Sequence, residues 1–379
     1  YANNEILRKN INNRLIFFFS YYILESLIFA KIFTSLKDIR TLNLEQLTDY
    51  FTTIGEKPFR AKQVYEWLWS KNLHSIEEMT NLSKELREKI SQEYHINPIS
   101  VDEFQKSTDG TIKNGVKLHD GLLVESVLIP TETRTTACVS SQVGCSLNCE
   151  FCATARLKRM RNLEVAEIVD QVALIDRQSK LYFDRPLSNI VFMGMGEPMM
   201  NYKNVVESIK KITDPKGLGM SPRRITVSTS GIPKMIKMLA DENLRVKLAL
   251  SLHSAIEKKR NEIMPFSDKF PLTDIMDSLK YWYEKTGNII TFEYCVWKGI
   301  NDQDEDIKAL IKYCKQIPSK VNLIQYNPIG DGKYDQCNKD AEENYVRQLE
   351  NAGITVLIRR SRGGDIDAAC GQLANKSSE

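Results

Sequence analysis

The sequence predicts an α/β protein built on a parallel sheet with helices packed outside the strands. From Arg134 onward, short β-branched and apolar runs alternate about six times with longer helical stretches. Hydrophobic residues make up 42% and charged residues 27% of the 379 residues, which is typical of a soluble globular enzyme. The alternation fits an open barrel or a doubly wound sheet, and both place reacting groups at the carboxyl ends of the strands.

The elements of this sheet are predicted from short apolar segments and the amphipathic stretches between them. The predicted strands are Thr135–Ser140, Asn189–Met193, Arg224–Ser228, Val246–Ser251, Ile289–Val296, Val321–Ile324 and Thr355–Ile358. The predicted helices include Val165–Ser179, Tyr202–Ile212, Leu272–Lys285 and Glu305–Cys314. Because helices separate the strands, the strands are expected to run parallel.

An apolar run at Leu15–Phe33 precedes the predicted domains, with only Glu25 and Lys31 charged. A membrane helix needs ~20 apolar residues, and an interior glutamate would be costly in it. Basic residues before the run suggest a signal peptide, but no clear small-residue cleavage site follows. We therefore expect residues 1–36 to be an extension outside the folded domains, without membrane attachment.

Residues 38–98 predict a small helical domain. A polar cap at Thr41–Asn43 precedes an apolar helical face, and an amphipathic helix follows at Phe59–Ser70. Basic residues such as Lys62 stand beside tryptophans in that helix. Basic and aromatic residues together can bind RNA, although aromatic residues at helical spacing more often belong to a core.

Residues 101–130 have the composition of short strands. Asp109-Gly110 and Asp120-Gly121 are turn signals between them. The last of these strands contains Glu125 in an apolar context, where an unpaired carboxylate would be costly to bury. A salt bridge or a solvated face is the simplest explanation of that residue.

Four cysteines are concentrated between positions 138 and 152. Cys145, Cys149 and Cys152 form a C-x3-C-x2-C array, and Cys138 stands seven residues before it. Thiolates suit zinc or an iron–sulfur cluster, and both usually take four protein ligands. With no fourth ligand nearby, one iron of a 4Fe–4S cluster would stay open. A zinc knuckle and free thiols are the alternatives, and the clustering of cysteines favours a reducing compartment over a disulfide framework.

This array resembles the motif of the radical S-adenosylmethionine (SAM) superfamily, in which the open iron binds SAM. The wider string from Thr136 to Thr154, TACVSSQVGCSLNCEFCAT, is similar to that of the RlmN-type RNA methyltransferases, which methylate carbon 2 of an adenine in ribosomal and transfer RNA. The resemblance extends from about Lys37 to Leu373. It implies an open (β/α)6 partial TIM barrel, a 4Fe–4S cluster on the three cysteines of the array, and two SAM molecules per turnover.

The resemblance also implies a SAM site at the ends of the predicted strands. Gly194–Pro198 follows the strand Asn189–Met193 and matches the radical SAM G-x-G-E-P element, which holds the methionine amino group. Glycines let the backbone approach a ligand, and a glutamate accepts hydrogen bonds from an ammonium group. The SAM-contacting positions that match are Gly196, Glu197, Ser228, Ser251, Leu252, His253 and Asn327.

A second functional thiol is identified through the same resemblance. The string IDAACGQL around Cys370 matches the methyl-carrying loop of the family, although this chain has Gly364 where a common family form has aspartate. Cys138 matches the cysteine that resolves the covalent intermediate, and Glu125 matches the proton acceptor. Three cysteines have no assigned role and are predicted to be structural: Cys295, Cys314 and Cys337.

The implied reaction uses a methylcysteine because carbon 2 of adenine is electrophilic and ordinary SAM methyl transfer cannot reach it. Cys370 takes a methyl group from one SAM, and a 5′-deoxyadenosyl radical from a second SAM removes hydrogen from that methyl. The methylene radical adds to adenine. Loss of the ring proton and attack by Cys138 then release the methylated base and leave a Cys138–Cys370 disulfide bond.

The implied partners are 23S rRNA and tRNA as substrates and an electron donor such as flavodoxin or ferredoxin, for a cytoplasmic monomer. A formal net charge of +3 permits RNA binding without arguing for it, so phosphate contacts must come from local clusters. One candidate is Arg156–Arg161, which places four cations just after the cysteine array.

The chain is expected to divide into several domains in the following order. They are a non-family extension at 1–36, a helical RNA-binding accessory domain at 37–100, a β-hairpin extension at 101–132, the radical SAM barrel with its C-terminal cysteine loop at 133–373, and a tail at 374–379.

Two other functions remain open at this point. A Cfr-type relative would methylate carbon 8 of the same ribosomal adenine, confer antibiotic resistance, and share the cluster and both catalytic cysteines. A non-catalytic RNA-binding protein with a structural metal site would have an all-protein fourth ligand and no affinity for SAM. Intact cluster and Cys370 loops favour the carbon-2 enzymes over both.

Overall fold

A computed structural model describes residues 36–375 of the chain. The expected N-terminal extension lies outside the described residues except for residue 36, and so does the tail from 376 onward. The described chain divides into two compact units. The first contains the chain up to Leu68 together with Leu73–Asn97, and the second contains Trp69–Asn72 together with the chain from Pro98.

The first unit is helical, as its sequence predicts. Its elements are the strand β1 (Lys37–Asp38), the helices α1 (Leu44–Thr53), α2 (Phe59–Trp69, which ends in the second unit) and α3 (Lys84–Glu93), and the strand β2 (Tyr94–His95), which pairs in parallel with β1. Asn43 and Gln46 cap the start of α1 reciprocally, which confirms the predicted polar cap. The apolar face of α1 buries Leu47 and Phe51 in the core of this unit.

The second unit is built on one ten-stranded sheet and a separate two-stranded ribbon. The strands are β3 (Ser100–Lys106), β4 (Ile112–Lys117), β5 (Leu123–Pro130), β6 (Thr135–Cys138), β7 (Gln142–Val143), β8 (Arg161–Asn162), β9 (Asn189–Phe192), β10 (Ile225–Thr229), β11 (Lys247–Ser251), β12 (Ile290–Cys295), β13 (Ser319–Ile324) and β14 (Thr355–Arg359). β7 and β8 form the ribbon, and the order in the sheet is β14-β13-β12-β11-β10-β9-β6-β5-β4-β3.

Seven neighbouring strands of this sheet, β6 and β9 to β14, are parallel. The helices between them are α4 (Val165–Phe183), α5 (Tyr202–Thr213), α6 (Pro233–Asp241), α7 (Glu257–Ile263), α8 (Leu272–Thr286), α9 (Asp304–Cys314) and α10 (Lys339–Asn351). The alternation gives six strand–helix repeats, and β14 does not pair back to β6. This arrangement confirms the predicted open (β/α)6 partial barrel. β12 is buried at all six positions, including the polar Thr291 and the charged Glu293.

The strands β3 to β5 form an antiparallel meander that continues the barrel sheet. Gly110 and Gly121 have φ values of +87° and +80° in the connecting turns, which confirms the predicted Asp-Gly turns. β5 pairs with β6, so the predicted β-hairpin extension shares one sheet with the barrel. Within residues 36–375, no helix combines the length and apolar character needed to cross a membrane.

Candidate active site

A cavity lies at the carboxyl ends of the parallel strands, where the fold class places reacting groups. Most of the predicted site residues line it. They are Cys138, Cys145, Cys149, Cys152, Gly196, Glu197, Ser228, Ser251, His253, Asn327 and Cys370. Two predicted site residues, Leu252 and Glu125, do not line this cavity. The cavity therefore brings together the cysteine array, the G-x-G-E-P turn and the distant Cys370 loop.

The cysteine array lies on the long connection between β6 and α4. The strands β7 and β8, which come before and after the array, pair with each other and so join the two ends of the loop that carries it. Gly144, directly after β7, has φ +71°, and a Cβ there would clash with the Lys158 carbonyl oxygen. Only glycine fits that position without a shift of the backbone. The ribbon therefore fixes where the array begins.

The thiols of the array are shielded from water. Burial raises the pKa of Cys145 to about 11 and that of Cys149 well above its ordinary value, and the pKa of Cys152 is raised as well. A bound soft cation would favour the thiolate forms. No three His, Cys, Asp or Glu side chains in the described part of the chain close around one metal ion. Cluster ligands stand further apart than ligands of a single ion because each thiolate binds a different iron.

Glu197 follows β9 and is 3% exposed. Its carboxylate accepts hydrogen bonds from the backbone N–H and the hydroxyl of Ser230, both at 2.9 Å, and from the Met199 N–H at 3.1 Å. Burial raises the pKa of Glu197, and these donors oppose the rise. Gly196 has φ +93°, and a Cβ there would stand 2.5 Å from the Gln142 side chain. The turn therefore requires glycine and presents a buried acceptor suited to an ammonium group.

His253 is buried and neutral. The backbone N–H of Cys295 donates to its Nδ1 at 3.1 Å, which leaves the proton on Nε2. Burial lowers the pKa of His253 to about 3, and its ring packs against Phe151 with centroids 4.7 Å apart. The preceding Leu252 is fully buried, and its carbonyl accepts a hydrogen bond from Arg260. The side chain of Leu252 is therefore part of the core.

Arg260 is a fully buried cation on α7. Its guanidinium donates to the backbone carbonyls of Ser230, Ser251 and Leu252, and no carboxylate within residues 36–375 forms an ion pair with it. Burial lowers the pKa of Arg260 to about 10, and charges on Tyr313, Cys149 and Glu257 would oppose this. A buried charge is costly unless opposite charges and hydrogen bonds compensate it, and a negative charge at the array would add to this compensation. The site is therefore suited to an anionic group bound at the cysteine array.

We expect Arg260→Met to weaken SAM binding more than tenfold, because the carbonyls at the ends of β10 and β11 would lose their common donor. Unpaired buried carbonyls should lower the free energy of unfolding by about 2–4 kcal/mol. Isothermal titration with SAM and denaturant unfolding would measure the two effects. Arg260→Lys, which keeps the charge but not the planar fork, should recover only part of both. Unchanged SAM binding in Arg260→Met would contradict the bridging role.

Cys370 is exposed at the cavity, in a loop that several hydrogen bonds hold. The Ala153 N–H donates to the Gly371 carbonyl at 2.7 Å, and the Asn327 amide donates to the Cys370 carbonyl at 3.2 Å. The Asp365 carboxylate anchors the start of the loop by accepting from the Ser107 hydroxyl at 2.6 Å. One carboxylate thus provides the anchor, although glycine replaces the preceding aspartate of the common family form.

The described cysteines are all free, so Cys138 and Cys370 are not joined by a disulfide bond in this structure. Burial raises the pKa of Cys138 to about 12, and a charge on Cys370 would raise it further. The two side chains line the same cavity. A disulfide between them therefore remains a feature of the proposed reaction.

The cavity wall contains an ion pair that was not predicted from the sequence. Arg359, at the end of β14, donates to the buried Glu293 carboxylate of β12 at 3.0 Å. Burial opposes the charge of Arg359, but Glu293, Cys370 and Cys138 together raise its pKa. A carboxylate in an apolar strand and a cation at a strand end were both visible in the sequence. Cys295, which is predicted to be structural, also lines the cavity.

Two family profiles match the chain. One, described as the ribosomal RNA large subunit methyltransferase N-terminal domain, matches residues 37–96, and the other, the radical SAM superfamily, matches residues 139–311. A probable dual-specificity RNA methyltransferase RlmN of Christiangramia forsetii is 64% identical over 341 residues, which cover 90% of this chain and 97% of the relative. The chain belongs to the RlmN family of radical SAM methyltransferases.

More distant members of the RlmN family agree with this assignment. A dual-specificity RNA methyltransferase RlmN of Geotalea uraniireducens is 42% identical over 340 residues, covering 89% of this chain and 97% of the relative. The crystal structure of a radical SAM methyltransferase from Sphaerobacter thermophilus superimposes with a TM-score of 0.84 at 35% identity, covering 89% of this chain and 99% of that chain. These similarities do not favour the Cfr-type alternative or a non-catalytic protein.

Membership of the RlmN family implies a 4Fe–4S cluster and SAM as cofactors. The residues present fit both groups. The three half-buried array cysteines line the cavity that would hold the cluster, the buried Arg260 could complement its negative charge, and Glu197 offers an acceptor for the SAM ammonium. The chain is therefore a radical SAM methyltransferase that uses both.

Proposed function

We propose that this enzyme methylates carbon 2 of adenine in 23S rRNA and tRNA, with Cys370 as the methyl carrier and Cys138 as the resolving thiol. The observation that carries the proposal is the convergence of Cys370, Cys138 and the three array cysteines on one cavity. Its relatives are named dual-specificity RNA methyltransferases, which supports RNA as the substrate.

When bound, the cluster on Cys145, Cys149 and Cys152 and its SAM supply a 5′-deoxyadenosyl radical, the hydrogen-abstracting group that this chemistry needs. The protein supplies a carrier that can reach both the methyl donor and the base. Cys370 is suited to that work because it is the exposed thiol of the cavity and lies on a loop. Its sulfur attacks the SAM methyl carbon, the sulfonium S–CH3 bond breaks to release S-adenosylhomocysteine, and the methylated Cys370 then presents the methyl carbon to adenine.

Cys138 is suited to the later step because its burial keeps it protonated while Cys370 is being methylated. An early Cys138 thiolate would compete with Cys370 for the methyl group. Arg359 lines the same cavity as both thiols, and its charge lowers the pKa of Cys138 against the larger effect of burial. Arg359 would therefore stabilise the Cys138 thiolate that attacks the Cys370 sulfur, forming the S–S bond as the bond from that sulfur to the methylene carbon of the base breaks.

RNA contacts are proposed for exposed basic residues on each unit. In the first unit Lys57 and Lys62 are exposed beside Phe59, which is 47% exposed and offers an aromatic face. In the second unit, part of the predicted cationic run Arg156–Arg161 already forms an ion pair within the protein, because Arg161 pairs with Asp120 at 2.6 Å. The exposed cations of that run, Lys158 and Arg159, are better placed to contact phosphates. A flavodoxin- or ferredoxin-type electron donor and a cytoplasmic monomer complete the proposal.

An anaerobic assay tests the proposed function. Reconstituted enzyme would be mixed with SAM, a reductant and either a 23S rRNA fragment or tRNA, and digested RNA would be analysed by mass spectrometry. We expect 2-methyladenosine in both RNAs. Formation of 8-methyladenosine would assign the enzyme to the Cfr type, and 5′-deoxyadenosine without a methylated base would mean another substrate.

A further inference from the structure

Glu125, which matches the proton acceptor of the family, holds the chain segment that follows Cys370. One carboxylate oxygen accepts hydrogen bonds from the backbone N–H groups of Ala374 at 2.7 Å and Asn375 at 3.1 Å. The Asn375 side-chain amide also donates to the Leu123 carbonyl at 2.8 Å. The segment after Cys370 is therefore fastened to β5 through Glu125 and its neighbour on the strand.

The other oxygen of Glu125 is occupied by a buried cation. Lys113 on β4 places its Nζ 3.3 Å from this oxygen, and the side chains of Lys113 and Glu125 are only 5% and 4% exposed. A buried ion pair is stable only when its remaining hydrogen-bonding capacity is met. Here the backbone N–H groups of residues 374 and 375 meet it, so the pair and the segment stabilise each other.

The path from Glu125 to Cys370 is short and closely held. Between Cys370 and Ala374, the Leu373 carbonyl accepts from the Thr154 hydroxyl at 2.7 Å, and the Gly371 carbonyl accepts from the Ala153 N–H at 2.7 Å. Both donors come directly after Cys152, the last cysteine of the array. A displacement of residues 374–375 would therefore be transmitted to the register between Cys370 and the cysteine array.

We propose, on the basis of the function proposed above, that the Lys113–Glu125 ion pair is a latch that positions Cys370, and that Glu125 acts as a positioning residue through the segment 371–375. Both oxygens of its carboxylate are engaged and the residue does not line the cavity. A general base for a proton of the substrate must lie within hydrogen-bond reach of it. The latch explains why a carboxylate is buried in an apolar strand.

Two measurements on the reconstituted full-length enzyme separate this role from that of a proton acceptor. The first is hydrogen–deuterium exchange of the peptide 363–375. The second is SAM-dependent methylation of unmodified Cys370 without RNA, followed by peptide mass. The second reaction involves no adenine proton, so loss of a proton acceptor cannot slow it. The variants are Glu125→Gln and Lys113→Met, and the control is Glu132→Gln, a carboxylate that is exposed just after β5.

We expect Glu125→Gln and Lys113→Met to speed exchange of this peptide about tenfold and to slow Cys370 methylation, while Glu132→Gln does neither. If Glu125→Gln fails to fold, Asn375→Ala, which removes only the bond to Leu123, should still speed exchange several-fold. Normal exchange and Cys370 methylation in Glu125→Gln with loss of RNA methylation would overturn the latch. If Cys370 of the wild-type enzyme accepts no methyl group, the proposed function is wrong. Hydrogen–deuterium exchange of the peptide 363–375 then tests the positioning role of the latch by itself.

Discussion

Replacing Cys370 by alanine is expected to abolish RNA methylation, with a drop of more than about 1,000-fold, while SAM is still cleaved reductively. Cys370 is the exposed thiol of the cavity, and alanine removes the atom that carries the methyl group. The three array cysteines and the SAM turn remain in place. Anaerobic assays that measure 5′-deoxyadenosine and methyladenosine in one reaction would separate the two activities.

Cys337 provides the matched control for this substitution. It is a free cysteine, only partly buried, and it does not line the cavity. Cys337→Ala should methylate RNA at the wild-type rate and bind the same amount of iron. Methylation of RNA by Cys370→Ala would show that the methyl group reaches adenine without a methylcysteine, and the covalent mechanism would be wrong.

The barrel was predictable because its signals are local. Each predicted strand combines apolar residues over a few positions, and the helices between them have their own periodicity, so all seven parallel strands occur within a few residues of the predicted bounds. The pairing of β5 with β6 is different in kind. Sequence patterns describe single strands, whereas the register Val127↔Cys138 depends on how two strands meet. The shared sheet was therefore visible only in the structure.

Candidate site residues could be identified from the sequence where they lie within one short motif, as in the array around Cys149 or the loop around Cys370. Contacts between distant segments were not predictable in this way. Glu125 stood out as a carboxylate in an apolar strand, but nothing in the sequence indicates that Lys113 and the N–H of Ala374 are its partners. Burial of a charge predicts that a partner exists and does not say which residue it is.

Replacing Cys138 by alanine should trap RNA covalently on Cys370, because the adduct would lack the thiol that attacks it. The structure also offers a competing thiol in the same cavity wall. Cys295 is 4% exposed and Cys138 is 7% exposed. Burial is the main cause that raises the pKa of both thiols, and a charge on Cys370 raises each pKa further. Position alone therefore does not distinguish them, whereas charge does. The charge of Arg359 lowers the pKa of Cys138, whereas burial and charges on Cys337 and Cys370 raise the pKa of Cys295.

Denaturing gels and mass spectrometry of the Cys370 peptide after one turnover would compare Cys138→Ala with Cys295→Ala. We expect about one RNA adduct per active enzyme in Cys138→Ala, none in Cys295→Ala, and none when Cys370→Ala is added to Cys138→Ala. Trapping by Cys295→Ala alone would transfer the resolving role to Cys295. Trapping by neither variant would mean that release needs no second thiol, and the proposed Cys138–Cys370 disulfide would then have no place in the reaction.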